Sequence, residues 1–544
     1  MDNQSGRNVV NPNEAEEQLT LLKNGKKIKT AHKPEVFHPG GSHSITDAAL
    51  TLGRLLGKAR KYYSRGGAVV RVIYEKDRRP SLSSVKAASL TSAFENVAQL
   101  VKARAVKGKD GETVWESEPT IFSEQIAKQI LESDDFREVL PELNVMARCP
   151  VLIERNGDLV EICGYDRKSG ILAFGKPTTK VPLEKARELL HEVLCEFQFA
   201  TAADHARALA ALITPAMVFG GLLHGRAPLD LGEADKSQTG KGYRNKITAA
   251  IYNQKVQVIN QQTSGVGGME EAFDTYLVSG ANFICMDNVK GKINSSKIES
   301  FLTEDSYPAR VPYQAGVNID PERTFVMMTS NKADVTQDLA NRSSCVRMLK
   351  RGDDHSFREY PEGDILDHVR ANQPLYLGAV FAVIRQWHQD GMPRSRETHH
   401  DFRNWVQKLD YIVQEYLDGA PIMRGHRATQ ERMTNPTLGW MRDIMLEVRR
   451  QKQTDKWMRT QEIVELLSES EVRIPGMEEH DVFTDDIVRK RVLQAVGRKL
   501  AICFRAGDEV EIDGHISRRR KWLDPHTSIR SNEYWFSEDG EVPF

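Results

Sequence analysis

The chain has 544 residues, 40% of them apolar, and a formal net charge of −1. At roughly 150 residues per domain this length implies three or four units rather than one core. The near-zero charge excludes a global basic field, so any nucleic-acid surface must be local. The apolar run 375–384 is far shorter than the ~20 residues a spanning helix needs, and Met1 to Asn13 is polar, without the apolar run of a signal peptide. The expectation is a soluble, cytoplasmic protein with no membrane partner. The six cysteines (Cys149, Cys163, Cys195, Cys285, Cys345, Cys503) form no C-x-x-C pair, which argues for reduced core thiols rather than a zinc site.

Residues 1–35 are polar and lysine-rich and read as a tail. Residues 36–195 read as an α+β accessory domain. Gly67 to Tyr74 is a strand by its β-branched content, Val85 to Val101 is helical, and Asn156-Gly157 turns a hairpin between 150–153 and 159–162. Residues 196–350 change character. A helix at 203–212 precedes strands at 228–234, 256–259, 282–286 and 324–329, with helices between them. That alternation predicts a mostly parallel, three-layer α/β sheet.

Chemistry gathers in this segment. Asp235-Lys236-Ser237-Gln238-Thr239-Gly240-Lys241-Gly242-Tyr243 lies between a buried strand and a helix. There, backbone N–H groups and the helix N-terminus face an anion, glycine allows close approach and a lysine meets the β/γ-phosphates. Asp235 replaces the usual first glycine, and Gly242 stands where a metal-ligating hydroxyl is usual, leaving the metal to Asp287, water or a side chain such as Thr239. Phe283-Ile284-Cys285-Met286-Asp287-Asn288 is an apolar strand ending in an acid suited to Mg²⁺. Asn288 occupies the place of a second, water-activating acid, so Glu299 and Glu271 are the alternatives for a general base. Phe325 to Asn331 is a further strand, with Asn331 placed to position water. Arg342 follows in Asp338-Leu339-Ala340-Asn341-Arg342-Ser343-Ser344 and suits a finger reaching a neighbouring subunit's nucleotide; Arg347 is the second choice. Between Asp287 and Asn331, Ala309 to Val317 reads as an inserted hairpin whose Arg310 and Tyr313 would grip a DNA strand.

Residues 351–452 read as a helical domain. Phe402, Trp405, Val406, Leu409, Ile412, Val413, Tyr416 and Leu417 form one apolar helix face. Residues 453–544 read as a winged helix: helices around Ile463 and Val496, then wing strands at 510–512 and 534–536 with a turn at Asp513-Gly514. Arg498, Lys499 and the run Arg518-Arg519-Arg520-Lys521 are the candidate DNA contacts.

Together, Lys241, Cys285-Met286-Asp287-Asn288, Thr329-Ser330-Asn331 and Asp338 to Ser344 resemble AAA+ ATPases near the superfamily III and MCM-like replicative helicases of phages, plasmids and mobile elements. Arg148-Cys149-Pro150-Val151 and Gly164-Tyr165-Asp166 look like the domain preceding the ATPase in primase–helicases. The resemblance implies an AAA+ P-loop core that binds ATP and Mg²⁺, a hexameric ring, hydrolysis at subunit interfaces, and translocation on single-stranded DNA, with duplex contacts at the winged helix and a primase or polymerase as a further partner. It assigns Ser237 to Tyr243 to the nucleotide, Lys241 to phosphate, Asp287 to Mg²⁺, Asn331 to water positioning and Arg342 to the finger. An AAA+ loader or remodeller of a protein partner, and a nucleotide-dependent DNA-binding protein with weak hydrolysis, are the alternatives. No primase carboxylate cluster occurs in residues 1–190.

Overall fold

The computed structural model describes residues 33–76, 79–107, 112–234, 239–254, 256, 268–289, 292–311, 316–331, 333–351, 356–434, 436–470, 472, 474–475, 477, 485–504, 507–512, 515–523 and 530–538. Asp235 to Gln238, Tyr313, Asp513-Gly514 and most of the strand expected at 256–259 lie outside them. Two compact units emerge. The first draws on Met1–Ser64, Val69–Val72 and Ser84–Pro141, and the second on Arg65–Ala68, Ile73–Ser83 and Glu142–Phe544. The strands Tyr62–Arg65, Ala68–Tyr74 and Pro80–Ser84 lie where the chain passes from one to the other.

In the first unit, β1 (Glu35–Phe37) pairs in parallel with β2 (Gln99–Lys107), and β2 pairs antiparallel with β3 (Thr113–Pro119). Helices α1 (Ile45–Lys58), α2 (Ala87–Val97), α3 (Glu124–Glu132) and α4 (Asp134–Val139) enclose Leu52, Leu90, Phe94 and Phe136. Ser44 caps α1 by accepting from the Asp47 N–H at 3.0 Å. Gly53 lets α1 and α4 close together, because any Cβ there would strike Val139. The helix expected over 85–101 is shorter. Ala98 turns extended (φ −138°), and Gln99 joins a strand ladder. Cross-strand pairing with Glu35 overrides the helical periodicity, a tertiary effect that local pattern does not carry.

The second unit begins with β4 (Val145–Ala147), the hairpin β5 (Val151–Arg155) and β6 (Asp158–Ile162), β7 (Gly164–Asp166) and β8 (Ile171–Ala173). Asn156 and Gly157 both have positive φ, 55° and 85°, which is the type I′ turn their pairing suggests. Helix α5 (Leu183–Glu192) and the short β9 (Gln198–Phe199) lead into α6 (Ala202–Gly220). Then come β10 (Leu229–Ala234), α7 (Lys241–Ile251), α8 (Met269–Val278), β11 (Phe283–Val289), α9 (Ser296–Phe301), a hairpin of β12 (Tyr307–Ala309) and β13 (Val317–Ile319), β14 (Phe325–Asn331), α10 (Gln337–Asn341) and β15 (Ser343–Leu349). The inserted hairpin forms where the sequence places it.

The central sheet has the order β9-β15-β10-β14-β11. Its four long strands are parallel, and β9 is antiparallel at the edge. Strand β14 comes after β11 in the chain yet lies between β10 and β11. Every residue of β10 is buried, as expected of a parallel sheet covered on both faces. Two contacts fix α7 over this sheet. Arg244 forks onto Asp230 of β10, both at most 2% exposed. At the far end of α7, the Tyr252 hydroxyl donates to the Leu212 carbonyl at 2.5 Å and accepts from the Ala216 N–H at 3.3 Å. It thereby enters the backbone ladder of α6 beside Pro215, which has no N–H to give.

The chain continues as α11 (Ile365–Ala371), α12 (Gln373–Gln389), α13 (Arg403–Leu417), α14 (His426–Thr434) and α15 (Pro436–Arg450). Of the apolar stripe read from 402–417, Trp405, Val406, Leu409, Ile412, Val413, Tyr416 and Leu417 are buried on α13, and Phe402 caps it half-buried. The last region holds β16 (Trp457–Arg459), α16 (Thr460–Ser468), α17 (Asp486–Cys503), β17 (Glu509–Ile512), β18 (His515–Leu523) and β19 (Arg530–Phe536). Its antiparallel sheet has the order β16-β19-β18-β17. The basic run Arg518 to Lys521 lies along β18, between β17 and β19. Among the described residues, no helix is long and apolar enough to cross a membrane.

Candidate functional site

Parallel α/β sheets present ligand sites beyond the C-terminal ends of their strands. Here the C-terminal ends of β10, β14 and β11 bring together Thr239, Gly240, Lys241, Gly242, Asp287 and Thr329. Gly240 is the N-cap of α7 with φ 86°, a left-handed conformation suited to glycine. A Cβ there would also come within 3.0 Å of the Phe197 ring, so a side chain at this position would crowd Phe197. Lys241, 9% exposed, begins the helix. Burial pushes its ammonium pKa down, and Asp287 opposite pulls it partly back up. The Thr239 hydroxyl is buried without a hydrogen-bond partner among the described residues. Such an orphaned oxygen fits a missing ligand or metal.

Asp287 owes its aim to a bulge. Met286 pairs with Met328 and Val289 with Ser330, so Asp287 and Asn288 together face the single residue Thr329. Asn288 takes φ 53°, which asparagine tolerates better than most residues. The Thr329 hydroxyl donates to Asp287 Oδ1 at 2.5 Å and accepts from the Asn288 N–H at 2.7 Å. One threonine thus closes the bulge and orients the carboxylate. A Cβ on Gly242 would lie 3.0 Å from Asp287 Oδ1. The glycine that departs from the common motif is therefore what lets Asp287 approach the start of α7. Mg²⁺ is commonly held by one or two carboxylates together with phosphates and water. Asp287 and the Thr239 hydroxyl fit that donor set, and among the described residues no group of three His, Cys, Asp or Glu side chains offers a separate cage.

The other expected residues fall around this centre. Asn331 ends β14 in register with Ala234, the residue before the undescribed loop. Asn288 is exposed and supplies no carboxylate. Glu299 accepts from the Thr336 hydroxyl, and Glu271 lies in the first turn of α8. The Tyr243 hydroxyl bonds Asp364 and the Leu366 N–H at the start of α11, and its ring packs beside Phe197. Ser237 and Gln238 lie outside the described residues.

Arg342 sits at the opposite end of the strands. Its carbonyl accepts from the Leu229 N–H at the start of β10, roughly 16 Å along the strand from Ala234 at ~3.3 Å per residue. The residue is half-buried, and its guanidinium has no hydrogen-bond or ion-pair partner among the described residues. Arg347 is 6% exposed and enclosed by its own chain, in register with Glu233, which disfavours it as a finger.

The residue pattern gave no sign of a brace under the site. Glu233, next to last in β10, is bound by both terminal nitrogens of Arg432 on α14, with each side chain at most 3% exposed. Burial alone would raise the Glu233 pKa; Arg432, then Arg442 and Arg347, more than reverse this and hold it below the usual carboxylate range. Thr329 was missed as well. Its signal was its place two residues before Asn331 on a strand whose end meets Asp287.

At the expected DNA contacts, Arg310 is exposed at the end of β12 and Tyr313 lies outside the described residues. Arg498 is exposed on α17, while the Lys499 ammonium lies 4.6 Å from the centre of the Trp440 ring. Arg518, Arg519 and Arg520 bond Glu509, Asp508 and Glu533, so the run is partly neutralised within its own sheet.

No protein-family profile matches the chain, and no curated protein does. Among solved structures, it is similar to the NrS-1 C-terminal region (TM-score 0.31, 12% identity, 88% of this chain and 98% of that one). It is also similar to the SCCmec type IV Cch helicase (0.30, 11%, 84% and 83%) and to the JCV helicase (0.21, 9%, 46% and 72%). These TM-scores lie below 0.5, and the functional reading rests on the chain's own geometry.

Proposed function

We propose that this chain is an ATP-hydrolysing DNA helicase or translocase of the AAA+ kind, acting as a hexameric ring in the replication of a phage or mobile element. The observation that carries the reading is the meeting of Lys241, Gly242 and Asp287 beyond the C-terminal end of β10, with β14 inserted between β10 and β11. In this reading the N–H groups at the start of α7 and the Lys241 ammonium bind the β- and γ-phosphates. Asp287, held by Thr329, and Thr239 hold Mg²⁺, which when bound neutralises charge on the phosphates. Asn331 orients water. Arg342 reaches the nucleotide of the adjoining subunit, in keeping with its place at the far end of the strands from its own loop. Arg310 and Tyr313 of the inserted hairpin face the translocating strand. The C-terminal region acts as a winged helix, and a primase or polymerase is the expected further partner.

The test is ATP hydrolysis with and without single-stranded DNA, together with fork unwinding, by wild type and Lys241→Ala. The expected result is DNA-stimulated hydrolysis and unwinding, both lost in the variant. Absence of both from the wild type defeats the reading. One observation favours a second reading: exposed Asn288 stands where a water-activating acid is usual. A nucleotide-dependent DNA-binding protein would then bind ATP tightly and turn it over slowly. Partner-stimulated hydrolysis without unwinding would select the loader.

A further inference from the structure

The C-terminal sheet has two unlike faces. Met458, Tyr534, Phe536 and Ile512 point into the core formed with α15, α16 and α17. On the other face, cross-strand register builds rows. Trp457 pairs with Trp535, which pairs with Arg518, which pairs with Glu509. The next row is Arg459, Glu533 and Arg520, and the next pairs Ser531 with Trp522. Two arginines cross over the central β19. Arg459 lies 3.8 Å from the centre of the Trp522 ring, and Arg520 lies 4.1 Å from that of Trp457. Arg518 lies 5.2 Å from the Trp535 ring centre. Beneath the crossing arginines sits Glu533, 7% exposed, bonded to Arg520 at 2.8 Å and 3.7 Å from Arg459.

The layering matters more than the formal charge. The carboxylate shared by Arg459 and Arg520 is buried below them, while the side chains of Arg459, Arg518 and Arg520 are about half exposed, at 48%, 50% and 48%. The three tryptophans are partly exposed. One face of Trp522 and of Trp457 is taken by Arg459 and Arg520, so an approaching molecule meets guanidinium and the remaining indole surface, with Glu509 and Glu511 at one margin. Apolar rings alone would fit an apolar partner. Rings interleaved with cations, about 6.8 Å apart along a strand at i and i+2, fit a chain that alternates flat bases with phosphates.

We propose that this outer face is a stacking platform for single-stranded nucleic acid, with bases on Trp457, Trp522 and Trp535 and phosphates at Arg459, Arg518 and Arg520. The proposal deepens the nucleic-acid half of the reading above and rests on that half alone. It moves the contact of the basic run from duplex to single strand. It also removes Arg519, whose side chain lies on the core side of the sheet over Phe504.

The platform holds three of the chain's seven tryptophans, so intrinsic fluorescence reports its occupancy. The experiment titrates the full chain, without nucleotide, with oligothymidine, with an abasic phosphodeoxyribose oligomer of equal length, with duplex DNA and with poly-glutamate. The expected result is quenching by oligothymidine, with the abasic oligomer at least about tenfold weaker. Trp522→Ala/Trp535→Ala should weaken oligothymidine binding about tenfold or more, the size of a lost base stack, while leaving abasic binding nearly unchanged. Trp522→Phe/Trp535→Phe should keep most of the affinity and lose most of the quench, which serves if the alanine variant does not fold. Overturning results are wild-type oligothymidine affinity in the folded alanine variant, undiminished quenching in the phenylalanine variant, tighter binding of duplex, or displacement of oligothymidine by poly-glutamate. Because no nucleotide is present, a chain that binds oligothymidine in this way but hydrolyses no ATP defeats the ATPase reading alone.

Discussion

The two sheets of the second unit place their chemistry differently. The parallel sheet around β10 is buried on both faces, and its candidate groups lie at strand ends, where loops and helix N-termini leave backbone and side chains open to a ligand. The antiparallel sheet β16-β19-β18-β17 buries one face and displays tryptophan and arginine on the other. In the first, position along the strand decides which residue can act. In the second, the side of the sheet decides it. Arg342 and Asp287 border one sheet and lie at opposite ends of its strands. Arg518 and Arg519 are neighbours in sequence and cannot share a partner, because a strand turns successive side chains to opposite faces.

Four predictions test this contrast. The largest effect is expected at the far end of the parallel sheet. Arg342→Ala should lower hydrolysis about 10³-fold while leaving nucleotide binding near wild type, as for a finger acting on a neighbour's phosphate. Mixing it with Lys241→Ala protein should partly restore hydrolysis, because some interfaces then pair an intact loop with an intact arginine. No restoration at any ratio would place Arg342 outside the reaction. Next, Thr329→Val removes the hydroxyl that closes the bulge and orients Asp287. Hydrolysis should fall about tenfold to a hundredfold, with a raised requirement for Mg²⁺; an unchanged magnesium titration would contradict the role. Gly242→Ser is a smaller and sharper change. It supplies the hydroxyl that the common motif carries, yet its Cβ would press on Asp287 Oδ1. A fall of several fold in hydrolysis is expected, and a rise would mean that the hydroxyl matters more than the approach.

The smallest effect is on stability. Burial, then His400 and Arg207, push the pKa of His426, 3% exposed, down to about 2. The unfolded chain therefore takes up a proton below about pH 6.5 that the folded chain refuses, and stability falls as pH drops through that range. At pH 5 this single group accounts for about 2 kcal/mol. Melting curves at pH 7 and pH 5 should converge partly in His426→Phe relative to wild type. Equal acid sensitivity in the two would assign the loss elsewhere.

The strand ends themselves were legible in the residues, because a buried apolar strand ending before a glycine–lysine pair, or in Asp287, reads locally. The hairpin read at 309–317 and the helix stripe read at 402–417 were legible for the same reason: local pattern and periodicity are short-range signals. The insertion of β14 between β10 and β11 was not, since order across a sheet is set by packing. Nor was the bulge that turns Asp287 toward Thr329, 42 positions away, or the bond from Glu233 to Arg432, 199 positions away. The tryptophan face was half legible. Arg518, Arg520 and Trp522 alternate at i, i+2 and i+4, yet the run looks uniformly basic until β18 is known to be a strand, and Trp457 joins it only through β19.

The central claim is that Lys241 and Asp287 frame a magnesium–triphosphate site. Titration calorimetry of Mg²⁺–ATP into wild type, Lys241→Ala and Asp287→Asn tests it most directly. The account predicts saturable binding by wild type, weakened at least about a hundredfold by Lys241→Ala, and in Asp287→Asn an affinity that no longer responds to Mg²⁺. Equal binding by all three proteins, or none by the wild type, would contradict it.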